Sequence, residues 1–259
     1  MSARITPLRL EAFEQLPKHA RRCVYWEVDP AALRSDDHLA DPEFEKEAWL
    51  SMVMLEWGSC GQVATAAPTN CGASEPPAWA TCFMRRRGGA AAQRFPTAPV
   101  SADAVLLTSM GVEPQAADDL RHSLIARVVD ELVRRGVRAL EAFGRTEAIG
   151  ELQELQIVEP DIQPVLAVIG DCSVDHCIIE ADFLQDVGFV VVAPHRYFPR
   201  LRLELDRAWV GKPRLKRRWS GCWRTRSCNS RWVPARQLPS VNPARPVPPK
   251  VRVRVAQRR

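Results

Sequence analysis

Nowhere in its 259 residues does the chain carry eighteen consecutive apolar residues, which excludes a conventional transmembrane helix. Met1-Ser2-Ala3-Arg4-Ile5-Thr6-Pro7 lacks the apolar h-region of a secretory leader, so a cytoplasmic protein is expected. The eight cysteines follow no regular spacing, and without a secretion signal they read as reduced thiols rather than a disulfide framework. Acidic residues are missing altogether from 207–259, where sixteen Lys and Arg occur. The formal +5 of the whole chain therefore averages two unlike objects, since residues 1–206 hold 20 basic and 31 acidic groups. Periodicity is missing too between Gln62 and about Ala92. The expected organisation is a domain over 1–206 interrupted by an irregular insertion at 66–99, then a disordered basic tail at 207–259. A hydrophobic content of 46% suffices for the domain's core.

What is present centres on Asp103–Arg145. Ala104-Val105-Leu106-Leu107-Thr108 has strand character and exits through Ser109-Met110-Gly111-Val112-Glu113-Pro114. Leu120, Leu124, Ile125, Val128, Val129, Leu132 and Val133 then recur at spacings of three and four, with charged residues between them, which predicts an amphipathic helix from about 118 to 135. Asp118 and Asp119 supply N-cap chemistry, Arg134 and Arg135 suit the negative end of the helix dipole, and Gly136 terminates it. Val137–Phe143 reads as a second strand. Strand, loop, helix and strand make a βαβ unit, whose loop at the helix N-terminus is the natural anion or cofactor site.

Around this unit, Ile5–Leu10 is expected to form the first strand and Glu11–Leu16 a short helix stopped at Pro17. Cys23–Val28 is apolar, which suits either one wall of a cleft or a buried segment beneath a loop. Asp41 and Pro42 start a helix at N-cap and N1, running through Phe44, Ala48, Trp49, Met52 and Leu55 to Gly58.

The βαβ unit, followed by Phe183-Leu184-Gln185-Asp186-Val187-Gly188-Phe189 and the strand-like Val190-Val191-Val192 and Leu201-Arg202-Leu203-Glu204-Leu205, resembles the second half of the GNAT superfamily of N-acetyltransferases. The resemblance implies an α+β fold: a mixed, mostly antiparallel sheet with helices on both faces and a fourth strand splayed from the fifth. It implies acetyl-CoA as cosubstrate in that gap, an unidentified small-molecule or protein amine as acceptor, and no metal. The cofactor-binding residues it implies are Ser109, Met110, Gly111 and Val112 on the strand, with Asp119, Leu120, Arg121, His122 and Ser123 at the helix start. Glu141 is implied as the general base that relays the acceptor's proton.

The sequence also departs from the family. The loop pattern of Gln or Arg, two residues, Gly, one residue, then Gly or Ala falls on Ala116, Asp119 and Arg121, so the glycines of the phosphate cradle are absent. The tyrosine that many members use as proton donor is Leu184 here. The second and third strands of the family fall where periodicity fails. With permitted codons, dropping two bases from the coding of Trp79–Gly88 yields Gly-Tyr-Val-Leu-Tyr-Ala-Pro-Pro-Arg, a strand with its turn. The same shift over the start of the tail yields an acidic amphipathic helix, so 62–92 and the tail read as out of frame relative to an ancestral gene.

Three further constellations carry chemistry. Cys172, His176 and Cys177 are metal-ligand types within six residues, but no second pair stands nearby in sequence to complete a site, so buried free thiols are expected. His195, Arg196 and Tyr197 fall on the turn between the last two strands, as solvated polar residues or a grip for an acidic acceptor. The tail's arginines alternate with Trp209, Trp219, Trp223 and Trp232 in the manner of a nucleic-acid-binding arm, for which non-specific, salt-dependent contact is expected. Three functions follow: an acetyl-CoA-dependent N-acetyltransferase, a catalytically inactive domain of the same fold or the product of a decayed gene, and a basic-tail nucleic-acid binder.

Overall fold

A computed structural model describes residues 3–29, 41–66, 78–86, 90–114, 119–153, 159–168 and 172–205. The sequence readings that fall on Ala116, Asp118 and the tail at 207–259 lie outside the described residues. The strands are β1 (Ala3–Pro7), β2 (Gly61–Ala66), β3 (Ala78–Arg86), β4 (Ala104–Val112), β5 (Ala139–Arg145), β6 (Ile179–Glu180), β7 (Val190–Ala193) and β8 (Arg200–Glu204). The helices are α1 (Lys18–Arg22), α2 (Pro42–Trp57), α3 (Ala90–Gln93), α4 (Leu120–Arg134), α5 (Gln163–Leu166), α6 (Val174–Cys177) and α7 (Ala181–Asp186).

The strands lie in the order β1-β2-β3-β4-β5-β8-β7, with β6 alongside β5. Pairings β4/β5 and β5/β6 are parallel and the others antiparallel. This is the expected mixed, mostly antiparallel α+β sheet.

Alternation along the strands sends side chains to two cores. On one face Leu120, Leu124, Ile125, Val128, Val129, Leu132 and Val133 of α4, with Leu184 of α7, pack on Val105, Leu107, Leu140, Ala142, Leu201 and Leu203. The other face carries two clusters. Trp49, Leu50 and Val53 of α2 join Leu8, Phe13, Val63 and Phe83. Tyr25, Trp26, Phe95, Phe143, Phe198, Ile162 and Val165 form the second, in which Phe95 stacks on Phe143 at 4.2 Å between ring centres. Cys23–Trp26 is thus a buried segment: Arg94 donates to Tyr25 O at 2.6 Å and to Ala167 O at 3.1 Å, tying the N-terminal segment to the excursion between β5 and β6.

One expectation is corrected here. Within the supposed insertion at 66–99, Ala78–Arg86 is strand β3, paired on one side with β2 and on the other with β4, and Ala90–Gln93 is α3. Ala80, Cys82 and Met84 face the α4 core and Phe83 faces α2, so the residues present supply the third strand. Arg85 and Arg86 obscured the strand by closing an apolar run with charge. The guanidinium of Arg85 finds a partner in the ring of Trp49, 5.5 Å away.

Helix α2 begins as expected, with Asp41 Oδ1 accepting from the amides of Glu43 and Phe44 at 3.0 and 3.1 Å. Of the apolar residues named along it, Trp49 is buried whereas Phe44, Met52 and Leu55 are exposed, and Lys46, Leu50 and Val53 complete the buried face. Lys46 Nζ donates to Glu27 Oε1 at 2.6 Å and lies 4.5 Å from the centre of the Phe83 ring. A charged residue inside the core stripe hides the true period.

Candidate active site

Strand β4 holds the feature that opens the sheet. Met84 pairs with Leu107 and Cys82 with Met110, so two steps along β3 match three along β4 and the additional residue falls at Thr108–Ser109. Such a bulge bends the strand that carries it and increases its local twist. On the other side, β4 and β5 pair only from Ala104 with Ala139 to Leu106 with Glu141. From Leu107 onward β4 leaves β5, and no described strand pairs with that edge. The edge is consequently a row of backbone donors and acceptors open to an extended ligand. Ser109, Gly111 and Val112 are half-buried along it and Met110 anchors in the α4 core. The Thr108 hydroxyl, at the bulge, is buried with no hydrogen-bond partner among the described residues.

The opposite wall comes from β5 and β6. Gly144 and Thr146 donate their amides to Pro199 O and Tyr197 O, which occupies the β8 side of β5. Ile179 and Glu180 therefore pair with Gly144 and Arg145 on the side that β4 has left. Close approach requires a glycine here, since a Cβ at Gly144 would stand 2.9 Å from Ala181 Cα, Ala181 Cβ and Leu201 Cδ1. Glu180 accepts from Arg145 Nη2 at 2.9 Å and pairs with Arg121 of α4. Burial would raise the Glu180 pKa, but the two arginines and its own backbone amide lower it on balance.

At the start of α4, Leu120 is core and Asp119 sits at the N-cap position without capping, contrary to expectation. Its φ and ψ of −86° and 0° are helical rather than extended, which turns the carboxylate away from the amides it would cap. The amide of Ser123 is bonded to Asp119 O at 3.1 Å, which closes the first turn of α4. Arg121 stacks on Phe183 of α7 at 4.1 Å and the His122 ring centre lies 5.1 Å from the same ring. Burial and the neighbouring Arg121 charge lower the His122 pKa, leaving a neutral imidazole at pH 7.

Glu141 does not stand as a base facing the gap. It faces away from Leu140 and Ala142, as alternation requires, but it is fully buried. Oε2 accepts from Arg200 Nη1 at 2.6 Å and from the Ser101 amide at 3.1 Å, and Oε1 accepts from Arg202 Nη1 at 3.0 Å. Burial alone would raise its pKa; the hydrogen bonds from Ser101, Arg200 and Arg202 more than reverse that and hold it below the usual carboxylate range. A general base needs the opposite shift. Leu184 is fully buried in the α4 core. His195 Nδ1 accepts from the amides of Tyr197 and Phe198 at 3.2 and 3.0 Å, Arg196 pairs with Glu151, and Tyr197 is buried, so this trio orders its own turn.

Two groupings escaped the sequence reading. Arg145 and Glu180 lie 35 residues apart and nothing local marks them as partners. Cys177 has companions after all, with Cys23 Sγ 3.4 Å away and His19 Nε2 3.8 Å away, both from the N-terminal segment. Among the described residues no helix is long and apolar enough to cross a membrane.

No protein-family model matches the sequence, and no curated protein matches it. Solved structures do resemble the fold. Ard1 from Thermoplasma volcanium has 9% identity and a TM-score of 0.41, with 80% of this chain and 99% of that one covered. The PaiA N-acetyltransferase from Thermoplasma acidophilum, in complex with coenzyme A, has 12% identity and a TM-score of 0.42 over 79% and 99%. An N-acetyltransferase from Staphylococcus aureus has 13% identity and a TM-score of 0.42 over 80% and 100%. Likeness of this degree carries no residue roles from those proteins to this one.

Proposed function

We propose that the chain binds acetyl-CoA in the gap between β4 and β5 and transfers the acetyl group to an amine. The observation that carries this reading is the bulge at Thr108–Ser109, beyond which β4 parts from β5 after Leu106 and Glu141 and its edge has no partner strand among the described residues. A pantetheine arm is an extended diamide, and its amides suit an open strand edge as another strand would. The buried Thr108 hydroxyl, unpartnered among the described residues, also fits a polar group arriving at that point. Amides of Ser109–Val112 would hold the arm and polarise the thioester carbonyl, and their fixed direction is what makes such donors effective. Bound there, the thioester supplies an acetyl group activated toward the acceptor nitrogen.

The N-terminal end of the 15-residue α4 would meet the diphosphate. Asp119 opposes it. Two unit charges 4 Å apart repel by about 1 kcal/mol even in water, which weakens binding about fivefold.

A second reading, binding without transfer, is favoured by Glu141, whose carboxylate is already engaged by two arginines, and by the burial of Leu184. Calorimetry with acetyl-CoA, followed by mass spectrometry of a panel of amines incubated with protein and acetyl-CoA, separates the possibilities. Acetylated product supports transfer, and binding without product supports the second reading. Absence of heat at millimolar acetyl-CoA would refute both.

A further inference from the structure

Helix α1 and the segment before β6 bring together four side chains with metal-ligating chemistry. His19 and Cys23 are four apart, and the Cys23 amide bonds back to His19 O at 2.8 Å, so α1 and its C-cap hold both on one helical face. Cys172 and Cys177 bracket α6, whose orientation is set by Ser173 at its N-cap accepting from the His176 amide. The sulfur of Cys23 lies 3.4 Å from that of Cys177 and 3.7 Å from that of Cys172, and Cys177 Sγ lies 3.8 Å from His19 Nε2. The ligand atoms of His19, Cys23 and Cys177 all fall within 4.8 Å of one another.

These separations have a specific meaning. A disulfide would hold two sulfurs at about 2.05 Å, far shorter than any pair here. A tetrahedral zinc with metal–sulfur bonds of about 2.3 Å and a metal–nitrogen bond of about 2.0 Å has sulfur–sulfur edges of about 3.8 Å and sulfur–nitrogen edges of about 3.6 Å. All three measured separations lie within about half an ångström of those edges, while Cys172 lies outside the group of ligand atoms that are all within 4.8 Å of one another and has to swing in to reach the ion. The three cysteines are buried, whereas His19 sits at the surface with its Nε2 turned toward Cys177, which leaves one side by which an ion can enter. Ligands separated by about 150 residues in two pairs are what sequence spacing could not show.

We propose that His19, Cys23 and Cys177 form a site for structural zinc, which Cys172, 3.7 Å from Cys23, closes as fourth ligand when the ion binds, giving three thiolates and one imidazole with no open position. Loading breaks three S–H bonds and forms three metal–sulfur bonds, releasing the protons to solvent without any redox change. The site staples α1 to the end of the excursion between β5 and β6, two residues before Ile179 enters β6. It thereby fixes Glu180, one wall of the gap described above, and zinc loss loosens that wall.

The full chain, purified without chelator from zinc-supplemented cells, should retain one zinc by elemental analysis. The chelated, reduced protein titrated with cobalt should develop a thiolate charge-transfer band and the visible bands of tetrahedral cobalt. Zinc should raise its melting temperature. Cys23→Ser and Cys177→Ser should lose the metal. Because either variant can misfold, His19→Ala, at a surface position, supplies the independent check: it should fold by circular dichroism yet bind zinc at least about tenfold more weakly, since even outer-shell partners of a metal are commonly worth that much. The triple variant Cys71→Ser, Cys222→Ser and Cys228→Ser should keep its zinc. The proposal is overturned by an octahedral cobalt spectrum, by stoichiometric zinc in the folded Cys23→Ser protein, by unchanged affinity in His19→Ala, or by loss of the metal from the triple variant.

Discussion

Replacing Glu141 by Gln separates the structural role seen for this residue from the catalytic one its position in the sequence implies. The wild-type carboxylate is fully buried and accepts from Arg200, Arg202 and the Ser101 amide. Removing one member of a buried ion pair costs about 3–5 kcal/mol, because the partners remain buried. The lower end applies here: Arg202 keeps Asp103 and Glu204, and Arg200 keeps Thr97 O at 2.8 Å. A loss of about 3 kcal/mol in a domain of this size lowers the melting temperature by roughly 6–12 °C. The pH dependence has a definite sign. A carboxylate whose folded pKa is depressed contributes stability that is present above its unfolded value, about 4.3, and is lost as pH falls through the folded one. Urea denaturation from pH 7 to pH 3 should therefore show a steep acid limb in the wild type and a shallower one in Glu141→Gln. If the variant matches the wild type in stability at pH 7 and loses only acetyl transfer, the structural assignment of Glu141 fails.

Three further outcomes are expected. Asp119→Gly should tighten acetyl-CoA binding about fivefold by calorimetry, the equivalent of about 1 kcal/mol, with little effect on stability because Asp119 makes no capping bond; an unchanged affinity would mean that the diphosphate lies elsewhere. Gly144→Val should destabilise the fold by at least about 1–3 kcal/mol in denaturant titration, since its Cβ alone meets three atoms at 2.9 Å; a neutral variant would show that β6 and α7 do not press on β5. Lys46→Ala should cost about 3–5 kcal/mol by leaving Glu27 buried and unpaired, whereas Lys46→Met with Glu27→Leu should recover most of the loss, and a double variant as unstable as the single would refute that account.

How far the sequence discloses this molecule depends on where information is local. The α4 stripe from Leu120 to Val133 is local, and every member is buried as its period requires. Gly188, at φ +102°, ends α7 as the Gly-Phe turn implies. Strand β3 is not legible, because its charged end meets Trp49 only in the folded chain, and the buried face of α2 is not legible because Lys46 and Glu27 meet 19 residues apart inside the core. Glu141 lies buried on the face that alternation gives it, with its carboxylate engaged by two arginines. Its role is decided by Arg200 and Arg202, which belong to β8 and are invisible from β5 alone.

The bulge in β4 has an implication for how this architecture tolerates change. What parts β4 from β5 is a count, three residues against two, and no particular side chain writes it. Substitutions at Thr108 or Ser109 leave the count intact, so the opening can persist while residue identities drift almost freely around it. Deleting either residue acts differently: one residue then separates Leu107 from Met110, Met110 keeps its place on the α4 face opposite Cys82, and a strand that no longer bends stays in step with β5 and closes the gap. The gap is thus robust to spelling and fragile to length.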